Sequence, residues 1–383
     1  MRAPSRGFGP SEYRARLARA QARMAMSGIS ALLLTTEPEV RYFTGFLTRF
    51  WESPTRPWFL VVPAEGEPVA VIPSIGAHLM GQCWIRDIRT WRSPDYGDDG
   101  VSLLAGALAE AVPPGEWVGV PSGGETHLRM PLSDWEALKH RLPDRLFGPD
   151  AGIMRALRMV KSEGEIAHIR AACDIGSRAF ARLPEIVRPG LPLAQVFRRF
   201  QMLALDEGAD WVPYLAGAAG PGGYGDVISP ATETPLREGD VLMLDTGLML
   251  DGYFCDFDRN VSLGRAGAAV LEAHARLIEA VQAGFAAATP GARACDLFHA
   301  MAAICGGSDV GRLGHGLGMQ LTEPPSLIAG DDTRLEPGMV LTLEPGIELS
   351  PGRMLVHEED IVIRESGADW LTTPATHLPE LPT

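Results

Sequence analysis

The stretch VLMLDTGLMLDGYFCDFDRN, Val241 to Asn260, constrains the fold more than any other part of the chain. It reads as two apolar strands joined by a tight turn. Asp251-Gly252 is the turn signal, because both residues tolerate the positive φ of a type I′ turn. The remaining acids, Asp245, Asp256 and Asp258, sit inside strand-like runs, where aspartate is disfavoured. With a two-residue loop, Leu250 faces Tyr253, Gly247 faces Asp256 and Asp245 faces Asp258. Alternation then places Asp245, Asp256 and Asp258 on one face, unless a bulge shifts the register by one residue. Three carboxylates on a partly buried face repel one another and need strong donors or a cation. Two readings follow: a solvated face served by a residue such as Arg259, or a metal site.

A chain of 383 residues exceeds one ordinary core, so two domains are expected. The first part alternates helix and strand signals. SEYRARLARAQARMAMSGI is helical, with Ser11 as cap and Gly28 near its end. ALLLT is a buried strand, and WFLVVPAEGEPVAVIP is a hairpin turning at Glu65-Gly66. A helix (DDGVSLLAGALAEAV), a strand (EWVGVP) and a helix (LSDWEALKHRL) follow, giving a mixed α/β domain over residues 1–155. Ser162 and Glu165 form a capping-box pattern that opens the second domain, residues 156–383. Helices are expected over 162–187, 193–207, 266–288 and 293–305, lying over a mostly antiparallel sheet in an α+β arrangement.

Three further stretches carry chemistry. His315 sits among Gly314, Gly316 and Gly318, which admit close backbone approach. Glu344 ends an apolar strand before a Pro-Gly turn. Glu358, Glu359 and Asp360 interrupt the β-branched strand MLVHEEDIVI. Singly, each has an ordinary reading: a loop histidine, a turn, a solvated edge. Together, two Asp, one His and two Glu in one domain suit two hard or borderline divalent cations.

In this pattern the chain resembles the pita-bread metallohydrolases: prolidase, aminopeptidase P, methionine aminopeptidase and creatinase. Asp245-Thr-Gly247 and Gly252-Tyr-Phe-Cys-Asp256-Phe-Asp-Arg259 match the family hairpin. His315-Gly-Leu-Gly318 matches its H-G-x-G, Glu344-Pro-Gly346 its E-P-G, and Glu359-Asp360 its terminal E-D. The resemblance spans the chain and implies a creatinase-type N-terminal α/β domain before a pita-bread catalytic domain. It implies two divalent metal ions per chain, manganese first, with cobalt, iron or zinc as alternatives. Asp256 and Glu359 would bridge them, Asp245 would complete one, and His315 with Glu344 the other. Glu344 would also shuttle protons. The implied reaction is amide hydrolysis in Xaa-Pro peptides by a metal-activated water, and the implied assembly a homodimer. Asp258 stands where the family has Thr, as an orienting residue or an extra ligand.

The chain also departs from the family. A second histidine expected after H-G-x-G is Thr322, and no histidine lies upstream of Asp245. Tyr214, Tyr224, Asp226 and Thr322 are the polar substitutes available. His357 stands where prolidases carry Arg, placed either to touch a substrate carboxylate or to pack. These departures keep open a same-fold hydrolase or lyase for a small non-peptide substrate and, as a third reading, a non-catalytic binding module. The aromatic stretch FLTRFWESPTRPWFL reads as core plus a strand edge; family dimers suggest instead that Arg49 or Trp51 reaches a neighbouring subunit's site.

Other classes find no support. The net charge of −14 disfavours nucleic acid. No GxGxxG or Walker loop points to a nucleotide. Five scattered cysteines without a CxxC pair argue against disulfides and thiolate zinc. With no long apolar run and no secretory h-region, no membrane role is expected and the chain reads as cytoplasmic.

Overall fold

The structure, a computed structural model, describes residues 4–53, 57–306 and 311–383. Two units are distinguished, Ser5–Arg158 and Met159–Thr383. Residues 54–56 of the aromatic stretch lie outside the described residues.

In the first unit, helix α1 (Pro10–Ser27) begins one residue before the expected cap. Gly9 is the N-cap and Pro10 takes the first helical position, where a missing N–H costs nothing. Gly28 ends the helix in the left-handed conformation and donates its N–H to Met24 O. The strands are β1 (Ile29–Leu34), β2 (Phe59–Pro63), β3 (Val69–Pro73), β4 (Asp87–Trp91), β5 (Trp117–Val120) and β6 (Leu146–Pro149). They form one mixed sheet in the order β4-β3-β2-β1-β5-β6. The β2–β3 hairpin turns where expected, with Gly66 at φ 93°. Helices α2 (Glu37–Thr44), α3 (Ala77–Met80), α4 (Val101–Ala111), α5 (Leu132–Arg141) and α6 (Ile153–Met159) complete the unit. Leu104 and Leu108 of α4 pack with Leu33, Phe59 and Val118 of the sheet. Trp51 is core: it is buried, 5.7 Å from the Trp58 ring, with the Arg129 guanidinium over its face.

In the second unit, α7 (Glu163–Ala181) opens on the expected reciprocal cap. Ser162 Oγ accepts from Glu165 N, and Glu165 Oε2 accepts from Ser162 N at 2.9 Å. Among the described residues helices α8 (Leu183–Ile186), α9 (Leu193–Asp206), α10 (Ala268–Ala287) and α11 (Ala294–Cys305) follow. One sheet runs β18-β10-β8-β7, built from β7 (Trp211–Pro221), β8 (Asp240–Leu250), β10 (Phe257–Leu263) and β18 (Glu380–Leu381), with the short β9 (Tyr253–Phe254) on β8. A second runs β12-β11-β13-β16-β17, from β11 (Gly314–Gly316), β12 (Glu323–Ser326), β13 (Val340–Leu343), β16 (Glu359–Arg364) and β17 (Gly367–Trp370). Strands β14 (Gly346–Ser350) and β15 (Arg353–Val356) form a separate hairpin. The pairing is antiparallel except between β10 and β18. Leu297, Phe298 and Met301 of α11 pack with Leu341, Leu343 and Ile361 beneath the second sheet.

A buried ion pair ties the start of this unit to its second sheet. Lys161 Nζ lies 3.1 Å from Glu323 Oε2, with both side chains almost wholly buried. Glu323 Oε1 also accepts from Gln320 N at 3.0 Å, so the pair holds the chain beside His315 on β11. Removing one partner of a buried pair leaves a desolvated charge behind. Lys161→Met is therefore expected to lose about 3–5 kcal/mol of stability in chemical denaturation, with Lys161→Arg losing less.

Candidate metal centre

The aspartate hairpin keeps its unbulged register. Leu250 pairs with Tyr253, Thr246 with Phe257 and Asp245 with Asp258. Asp251 and Gly252 turn it with φ of 50° and 81°. Like charges directly opposite each other destabilise a sheet, so the Asp245–Asp258 pair needs compensation. Asp258 is fully buried and both its oxygens are engaged. Oδ1 accepts from Glu358 N at 2.8 Å, and Oδ2 accepts from Asn260 Nδ2 at 2.9 Å. Asp258 is thus an orienting residue that draws the start of β16 against β10.

Asp245 receives less. Tyr214, across the ladder on β7, hydrogen-bonds to its carboxyl, but Asp245 Oδ1 is buried with no partner. Asp256 and Glu358 converge on it, with one oxygen from each of the three acids within 4.8 Å of the others. His315, on β11, points Nε2 at the same place, 3.3 Å from Asp256 Oδ2 and 3.6 Å from Glu344 Oε2. Its Nδ1 lies 2.8 Å from Gly316 O, which can only accept, so Nδ1 carries the proton and Nε2 presents its lone pair. Glu344 follows β13, and its other oxygen is 3.2 Å from Arg312 Nε. Two strand pairings bring these residues together. Thr342 pairs with His315 and Leu343 with Glu359, which leaves Glu344 and Glu358 just beyond neighbouring strand ends.

The electrostatics of the cluster are those of buried acids whose cationic neighbour is Arg312, at Glu344. Burial first, and the neighbouring carboxylates next, push Asp245, Asp256 and Glu358 well above the ordinary carboxylate range. Burial likewise raises Glu344 to about 7, against the opposing pull of Arg312. Burial lowers His315 to about 4, so its imidazole is neutral. An orphaned carboxylate oxygen, three converging acids and a neutral imidazole form a donor set suited to divalent cations.

The structure places Glu359 apart from the acid cluster to which the sequence reading assigns it. Glu358 lies just before β16 and Glu359 opens it, and one of the two is grouped with the hairpin aspartates. That residue is Glu358, while Glu359 turns to the other side. There it pairs with Arg259 Nη2 at 3.0 Å and accepts from Thr372 Oγ1 and from Ala375 N at 2.8 Å. Arg259 pairs with Glu359 and not with the hairpin aspartate side chains. Asp360 shares the face of Glu358. Its Oδ2 accepts from Asp256 N at 2.9 Å and from Cys173 Sγ at 3.3 Å, fixing the Asp256 backbone.

His357 is also placed away from the acid cluster. It is buried between Asp258 and Glu359, 3.3 Å from an oxygen of each. Burial opposes its charge, but the two carboxylates outweigh burial and raise its pKa. It lines a separate cavity of about 290 Å³ with His274 and Arg259. It therefore packs within an ionic network.

The acid cluster opens instead onto a cavity of about 560 Å³, where Asp245, Glu344 and Glu358 are joined by Tyr214, Arg312 and Arg353. Of the four polar substitutes named from sequence, Tyr214 alone carries its hydroxyl to the cluster. The Tyr224 hydroxyl is committed to Asn260 Oδ1 and Val356 N. Asp226 caps an exposed turn at Ile228 and Ser229. Thr322 is half-buried beside β12 and does not line the cavity. Arg312 and Arg353 had no distinguishing local signal in the sequence.

Comparison with known proteins agrees with this architecture. The family model "Metallopeptidase family M24" matches residues 167–365, and "Creatinase/Prolidase N-terminal domain" matches residues 16–160. A probable dipeptidase PepE of Mycobacterium tuberculosis is 33% identical over 95% of each chain. An Xaa-Pro dipeptidase of Lactobacillus delbrueckii subsp. lactis is 26% identical over 93% of this chain and 96% of its own. The crystal structure of dipeptidase PepE from Mycobacterium ulcerans superposes with a TM-score of 0.85 at 28% identity, covering 98% of this chain and 100% of that one. With its hairpin aspartates, H-G-x-G histidine and E-P-G glutamate gathered in one buried cluster, the chain belongs to metallopeptidase family M24, whose pita-bread domain here follows a creatinase/prolidase-type N-terminal domain.

Proposed function

We propose that this chain is a dimetal peptidase that hydrolyses short Xaa-Pro peptides. The observation that carries the reading is the convergence of Asp245, Asp256, His315, Glu344 and Glu358 at one end of a substrate-sized cavity, with Asp245 Oδ1 left without a donor. Family membership implies divalent metal use. Two ions, manganese first, are our proposal for this set. Such ions would supply Lewis acidity, acidifying water and polarising a peptide carbonyl. The Xaa-Pro preference is drawn from the relatives so named.

The protein's own groups have assignable parts. Asp258, Asp360 and the Gly316 carbonyl hold Glu358, Asp256 and His315 in their orientations. Glu344 is the acid best placed to carry a proton between water and the leaving amine, because it borders the cavity and Arg312 steadies one of its oxygens. Tyr214 offers a hydroxyl on the cavity wall whose single proton would turn from Asp245 to a developing oxyanion, which the absent histidines leave short of donors. Burial and the adjacent Asp245 keep that phenol protonated.

Metal analysis tests the ligand set. Glu358→Ala should lose bound metal, while Glu359→Ala should keep it and lower stability instead. Metal loss from the Glu359 variant alone would restore the motif-based assignment. Steady-state kinetics on a panel of Xaa-Pro and non-proline dipeptides test the activity, and wild-type protein that cleaves none of them would end the peptidase reading. In that panel Tyr214→Phe should lower kcat by about 10²-fold with little change in KM, the range for losing one oxyanion donor, and Thr322→Val should not. We further propose a homodimer, so light scattering at micromolar concentration should report twice the chain mass.

A further inference from the structure

The cavity lined by His357 lies in the same unit as the acid cluster, and the peptidase reading leaves it unused. It encloses about 290 Å³ between α7, α10, β10 and the run that leads into β18. Its floor is buried: His274 and Asn260 are each 2% exposed, and His357 1%. Its rim, at Thr373, Thr376 and His377, is exposed, so a solute can enter from water.

The wall has one chemical character. Its ionisable side chains are Arg259, His274, His357 and His377, all of them nitrogen bases, and no carboxylate side chain lines it among the described residues. The acids that pair with Arg259 and His357, namely Glu359 and Asp258, are not lining residues. A metal ion would meet repulsion from Arg259. Nor do the three imidazoles converge: among the described residues Asp245, Asp256 and Glu358 form the one such convergence of ligand atoms.

Donors on this wall are unspent. Although His274 is almost wholly buried, neither of its ring nitrogens has a hydrogen-bond partner among the described residues, and its ring stands 5.5 Å from that of His357. Ser177 Oγ is likewise buried without a partner. Burial first, and then the positive neighbours His357, Arg259 and His377, lower His274 to about 3, so it is neutral and one ring nitrogen carries a hydrogen to donate. On the rim, His377 Nδ1 is 3.1 Å from Thr376 Oγ1, which leaves Nε2 unbonded. A buried donor without an acceptor costs its full desolvation, so the wall favours a ligand that brings acceptors. An anion brings the strongest ones, and the surrounding bases favour its charge. Phe180, Leu183 and Val261 add apolar surface beside these donors.

We propose that this cavity is a second ligand site, which takes a small carboxylate bearing an apolar substituent and holds it through His274, Ser177 and His377. The site stands apart from the peptidase reading and does not depend on it. It adjoins the support of the acid cluster, since Arg259 Nη1 donates to the Glu358 carbonyl at 3.2 Å.

Calorimetric titration of the metal-loaded protein with isobutyrate and with isobutyramide tests the assignment. The carboxylate should bind roughly 10- to 100-fold more tightly than the amide, the range for hydrogen bonds to a charged group. His274→Leu should remove that preference, and His274→Gln, which keeps a donor, should restore part of it. His377→Ala, a change on the exposed rim, should weaken isobutyrate about 2- to 10-fold, the range for one ordinary hydrogen bond. Arg353→Gln, in the acid cluster's own cavity, should leave both affinities unchanged. Isobutyrate binding that is lost in Arg353→Gln yet kept in His274→Leu and His377→Ala would put the carboxylate in the other cavity and overturn the proposal. Equal affinity for acid and amide, or no binding of either, would also overturn it. Inorganic phosphate binding more tightly than isobutyrate would overturn the assigned ligand class.

Discussion

Repulsion among buried carboxylates organises the second unit. Asp245, Asp256, Asp258, Glu358, Glu359 and Asp360 all lie within two adjoining strand systems, each nearly or wholly shielded from water. Desolvated carboxylates at such spacing cannot all carry charge without compensation. The fold answers in two ways. One group is engaged by the protein: Glu359 by Arg259 and Thr372, Asp258 by Asn260 and the Glu358 amide, and Asp360 through one oxygen by the Asp256 amide and Cys173, its Oδ1 having no hydrogen-bond partner. The other group, Asp245, Asp256 and Glu358 with Glu344, has Arg312 as its cationic neighbour at Glu344 and keeps an orphaned oxygen on Asp245.

The division is a matter of sides. Glu358 and Asp360 approach Asp256, while His357 and Glu359 lie together beside Arg259. The engaged group is also what gives the other its geometry. Asp258 bonds the Glu358 amide, Asp360 bonds the Asp256 amide, and the Gly316 carbonyl fixes the His315 tautomer. Tyr224 extends the same network outward. Its hydroxyl joins Asn260 to Val356, while its backbone pins the hairpin that carries Arg353. One aromatic residue therefore links the backing of the acid cluster to the hairpin that lines the cavity.

Much of this was legible in the sequence, and for a common reason. The Asp251-Gly252 turn sets the hairpin register, because turn geometry and the period-two strand leave no freedom once the loop length is known. The capping box at Ser162, the helix spans and the β2–β3 turn rest on equally local chemistry. Asp245, Asp256, His315 and Glu344 could be named because each sits in a short pattern whose spacing is its own signature. The Ser11 cap was misplaced by two residues, since Pro10 supplies a helix start by fixed φ alone.

The rest needed the tertiary structure. The choice between Glu358 and Glu359 depends on which face of β16 meets β10, and that is decided by pairing between strands about a hundred residues apart in sequence. The burial of His357 between two carboxylates, the approach of Tyr214 to Asp245 across the β7–β8 ladder, and the approach of Arg353 to Gly220 are likewise meetings of distant segments. By itself the sequence determined which residues bear the chemistry and where its local turns fall, because those follow from backbone conformation within a few residues. Which of those side chains share a space, and which charges are already paired, was decided only by the packing of strands whose contacts no local pattern encodes.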